Sequence, residues 1–122
     1  PDAWTPGAFS YTIISAMSVV TNVILMVPVG ADSRVVDHVN AQLAVVLRVS
    51  GCGLLKVDQY AGGNKAVQAD IYMGAFNYLS RQVVLEILAA APWDASDRAV
   101  VRVAIQEEWD DAFTFHDLGT PP

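Results

Sequence analysis

Lys56, Asp58, Asp70, Tyr72 and Arg102 stand at alternate positions of three strand-like runs, LLKVDQY, AVQADIYMG and AVVRVAIQ. Period-two alternation places such residues on one side of a sheet. On that side they surround an apolar middle supplied by Ile24 and Met26. A few polar groups around an apolar hollow is the usual composition of a ligand pocket. A carboxylate, a phenol and a guanidinium converging there would also suit a cofactor-free acid–base enzyme, with Asp70, Tyr72 and Arg102 as its groups. The simpler expectation is that Lys56 and Asp70 form a cross-strand ion pair while the tyrosines fill an interface.

A second group lies near the C-terminus. Glu107, Glu108, Asp110 and Asp111 bracket Trp109 and precede Phe113, Phe115 and His116. Carboxylates mixed with aromatic rings can dock a basic protein, as an inhibitor or immunity-type protein would. The plainer expectation is an acidic run facing water.

The remaining reactive side chains carry little. His38 falls at the edge of a helical stripe. His116 precedes Asp117, and neighbours in sequence rarely point the same way, so neither histidine reads as catalytic. No HxxxH, HExxH or Cys/His spacing is present, so neither a metal site nor a cofactor is expected. Cys52 stands between two glycines with no His, Lys or Arg beside it, which favours an incidental thiol over a nucleophile. VGADSR puts a carboxylate where an anion would need a free helix N-terminus, and GGNK lacks the spacing of a phosphate loop.

The elements that must position these groups follow from composition and pattern. The chain has 122 residues, is 53% hydrophobic and 16% charged, and has a net charge of −6. That fits one well-filled domain over 1–122 and argues against nucleic-acid binding, since the seven Lys and Arg are scattered. The single cysteine forbids an internal disulfide and suits a cytoplasmic location. No charge lies between Asp2 and Asp32. Frequent Ser, Thr and Asn, an internal Pro28 and the lack of a basic flank argue against a membrane or signal segment there.

Residues 1–7 read as an irregular arm. Residues 8–17 alternate like a strand, and 19–27 form a β-branched run that Pro28 closes. A helix is expected over 32–49, capped by Asp32 or Ser33, striped by Val35, Val39, Leu43 and Leu47, and ended by Gly51 and Gly53. Strands follow at 54–60 and 66–74, joined by a three-residue turn at Gly62 to Asn64 that would set Lys56 opposite Asp70. Leu55 and Val57, with Val67, Ala69, Ile71 and Met73, are the expected core side of this hairpin. A second helix is expected over 77–91 with Leu79, Val83, Ile87 and Ala91 inward, then a polar loop at 92–98 and a strand at 99–106 with Val101, Val103 and Ile105 inward. Residues 107–122 read as an acidic, aromatic tail.

The order from residue 19 is β-α-β-β-α-β, which resembles the split βαβ plan of ferredoxin-like domains, an α+β sandwich; residues 8–17 are either an extra N-terminal strand or the first part of one long bent strand. That plan implies helices on one sheet face only. The other face, apolar at Ile24 and Met26, then calls for cover by a second subunit, by residues around Phe9 to Ile13, or by a small apolar ligand. The sequence as a whole favours a binding module over an enzyme: a homodimeric protein-interaction or small-ligand-binding domain.

Overall fold

The computed structural model describes residues 20–119. The arm at 1–7 and the strand expected at 8–17 lie outside the described residues. Among those described, the order is β1 (Val20–Pro28), α1 (Ser33–Leu47), β2 (Leu55–Lys56), β3 (Ala69–Asn77), α2 (Arg81–Ala90), α3 (Ala95–Val100), β4 (Arg102–Glu107) and β5 (Thr114–Asp117). The architecture is α+β: three helices and one open antiparallel sheet of five strands in the order β2-β3-β1-β4-β5.

β1 is the centre of the sheet. Its β-branched residues leave no charge to exclude it from that place, and it pairs antiparallel with β3 on one side and β4 on the other. Thr21, Val23, Leu25 and Val27 are buried on one face, and Asn22, Ile24 and Met26 are half-buried on the other. The helices cover the first face only. Val35, Val39 and Leu43 of α1 and Val84 and Leu88 of α2 join Val23, Leu25, Phe76, Val103 and Ile105 in one core. Each such side chain contributes about 1.5–3 kcal/mol by leaving water.

α1 starts as expected, with the Asp32 carboxylate accepting from Arg34 N–H. It ends earlier than its stripe suggests. Arg48 takes the left-handed conformation (φ 57°), and its N–H and that of Val49 both return to Ala44 O, so no glycine is needed at the cap. Gly53 is required for another reason. A Cβ there would come within 2.6 Å of the Asn40 side chain, which reaches across to bond both N–H and C=O of Leu54.

Three expectations about the later elements are corrected. α2 begins at Arg81 rather than 77, because β3 runs on to Asn77 and Tyr78 turns the chain with φ 61°. The loop expected at 92–98 contains α3, capped by Asp94, which accepts from the N–H groups of Ser96 and Asp97; the last strand starts after it, at Arg102. Within the expected tail, Thr114–Asp117 form β5, which pairs with β4 and takes the edge of the sheet.

The hairpin is corrected most. β2 has only two residues, and the connection spans 57–68 instead of a turn at Gly62 to Asn64. Val67 N–H bonds Gln59 O inside that connection. Lys56 stands opposite Tyr72, two residues from the expected register. The faces are exchanged as well. Asp70, Tyr72 and Phe76 are buried on the helix side, while Ala69, Ile71 and Met73 lie on the open side. Leu55 also faces the open side and Lys56 the helix side. None of the helices is long and apolar enough to cross a membrane among the described residues.

Candidate functional site

The antiparallel registers bring one residue from each strand into a single row across the open face: Leu55 of β2, Met73 of β3, Ile24 of β1, Ala104 of β4 and Phe115 of β5. All five are apolar. Leu55, Met73 and Phe115 are 75%, 45% and 72% exposed, Ile24 is half-buried, and the small Ala104 is buried. The next row holds Ile71, Met26, Arg102 and Asp117, and the row on the other side holds Ala75, Asn22 and Gln106. The face is therefore apolar through its middle with polar groups beside it. Ile24 and Met26 stand on it as the sequence led us to expect. Leu55, Met73 and Phe115 were missed there, the first two because they were assigned to the core.

The five alternating polar residues do not all meet. Lys56 and Asp70 do form an ion pair (Nζ to Oδ1, 3.5 Å), diagonal in the ladder and on the helix side. The buried Asp70 carboxylate also accepts from Gln59 Nε2 at 2.6 Å. Tyr72 lies beside it, and burial, then the Asp70 charge, raises the phenol above its ordinary pKa. A raised phenol is a poorer base at neutral pH, not a better one. Asp58 caps the following turn, accepting from Tyr60 N–H. Arg102 is on the opposite face, where its Nη1 donates to the carbonyls of Ala99 and Val101. Asp70, Tyr72 and Arg102 therefore do not converge on one cavity.

The acidic group is largely tied into the fold. Arg81 at the start of α2 holds Glu107 (3.1 Å) and Asp110 (2.6 Å). Asp110 also accepts from Glu107 N–H, which closes the turn leaving β4. That bond first, and Arg81 second, hold the Asp110 carboxyl below the usual carboxylate range. Glu108 accepts from Val20 N–H. Asp111 is exposed, and so is Trp109. Three of the four carboxylates are thus engaged within the chain, two of them by Arg81, a helix away in sequence.

The other reactive side chains are dispersed. His38 is exposed on α1. Thr114 hydroxyl donates to Ile105 O and so accepts from His116 Nε2, 3.0 Å away. No cluster of three metal-ligating side chains occurs among the described residues. Cys52 is a half-buried free thiol in an open groove of about 790 Å³, lined by Val45, Val49, Phe76 and Tyr78. This groove was not foreseen. Val45 and Val49, four residues apart and both exposed, are its sequence trace.

No protein-family model, curated protein or solved structure matches the chain.

Proposed function

We propose that the protein is a non-catalytic interaction module that forms a homodimer through the open face of its sheet. One observation carries this reading: the apolar row from Leu55 to Phe115 crosses all five strands, and its ends stand well out of the surface. Contiguous apolar surface of this kind usually marks an interaction site. The partner is a second copy because the face is apolar at its centre and carries both signs of charge beside it, Arg102 and Asp117. Such a surface can meet itself without collecting like charges. We read the strands β2-β3-β1-β4 with α1 and α2 as a ferredoxin-like core to which α3 and β5 are added, a plan whose paired sheets commonly pack face to face.

The strands cover a flat footprint of about 500 Å², at about 3.3 Å per residue and about 4.8 Å between strands. Side-chain relief brings this near the lower bound of about 600 Å² per partner for a stable specific interface. The pair should therefore be reversible. Phe115→Lys and Leu55→Lys each place a charge in the contact and should weaken the dimer at least about tenfold, or about 1.4 kcal/mol. Val45→Lys, in the groove on the helix side, should leave it unchanged. Sedimentation velocity over a dilution series measures this. Equal dissociation by all three variants would contradict the reading.

A further inference from the structure

We propose that the two copies are related by a two-fold axis that lies between the sheets and passes beside Ile24, so that each Ile24 meets its equivalent in the other copy. This rests on the homodimer reading and adds the registration of the two sheets. In an isologous contact the same patch serves both partners, and whatever lies on the axis touches its own copy. The row is centred on Ile24. Two strands flank it on each side, a bulky exposed residue stands at each end, and Met73 and Ala104 lie between.

The two limiting directions of the axis, along the strands and across them, both lead to Ile24. Where it runs along the strands, moving it sideways by one strand slides the sheets by two strands relative to each other. The overlap then falls from all five strands to three, and either Leu55 or Phe115 is left in water. A footprint of about 500 Å² that loses two strands no longer approaches what a specific pair needs. Where the axis runs across the strands, shifting it along them brings the row of Arg102 and Asp117 toward the desolvated centre. Interface centres are depleted of charge, and charged groups sit at the rim. An axis beside Ile24 keeps the apolar row central and both charges off-centre.

The test uses the full chain with Cys52→Ser, so that one engineered thiol is present. Facing sheets lie about 10 Å apart, too far for a direct disulfide, whose Cα atoms are about 6 Å apart. A short bismaleimide is therefore the cross-linker, applied to Ile24→Cys and to Val45→Cys as control, with light scattering on each sample. A dimer in which the Ile24→Cys variant cross-links at least tenfold faster than the Val45→Cys variant is expected. Met73→Cys with a longer linker is the second variant, one strand away from β1. A dimer in which the Ile24→Cys variant does not outpace the control, or in which Met73→Cys links faster than Ile24→Cys, overturns the axis and leaves the homodimer standing. A monomer overturns both: a reactive thiol in the Ile24→Cys variant then means a bare face, and an unreactive one a face covered from within the chain.

Discussion

Arg98 is a buried cation that donates to three backbone carbonyls. Its guanidinium donates to Ala89 O at the end of α2 and to Leu118 O and Gly119 O beyond β5. One residue of the short α3 therefore ties a helix end to the segment that follows the edge strand. Arg98→Met fills similar space but leaves those carbonyls without that donor. It should cost about 3 kcal/mol in urea unfolding. A loss under about 0.5 kcal/mol would mean the carbonyls find other donors. Asp110 is the second informative residue. Its carboxyl titrates below the ordinary value in the fold, so its stabilisation is complete above about pH 4 and fades as the pH falls through the lowered value. Wild type should accordingly exceed Asp110→Asn in stability at neutral pH, and the gap should close in acid. A gap that widens in acid would contradict the Arg81–Asp110 turn.

Among elements, β1 and α1 were legible because each has one strong periodic pattern and a clear boundary, Pro28 for one and Asp32 for the other. β3 was legible as a strand but not by face. Ile71 and Met73 are more apolar than Asp70 and Tyr72, so alternation alone assigns them to the core. The helix layer instead takes Phe76, and Asp70 enters it with Lys56 and Gln59 as partners. A buried carboxylate supplied with partners defeats any reading based on polarity alone. α3 was missed because six residues give no periodicity; only its cap, Asp94, speaks for it. β2 was overextended because alternation in LLKVDQY continues after pairing stops. What holds β2 near α1 is the side chain of Asn40, acting as a short strand toward Leu54. Asn40→Ala removes both bonds and should cost about 2 kcal/mol. Amide exchange at Leu54 should quicken in step, and an unchanged Leu54 amide would show that the bridge contributes nothing.

At the scale of the whole fold, the decisive asymmetry among the described residues is that three helices cover one face of a five-stranded sheet. The helix side is closed by a core running from Val23 to Leu118. The open side keeps an apolar row whose two ends are among the most exposed large apolar residues of the described chain. The sequence made the open face visible at Ile24 and Met26, but not the row, since a row exists only once the registers of four strand pairs are set. Where the candidate polar residues lie depends on the same registers. Asp70 and Arg102 share a periodicity but not a face, and Glu107 and Asp110 had a partner in Arg81. The most direct test of the central claim is the mass of the wild-type chain by light scattering at roughly 100 µM, where even a weak pair is mostly associated. Twice 13.1 kDa is predicted, nearly indifferent to added salt because the contact is apolar. A mass of 13.1 kDa at every concentration up to that point would contradict it.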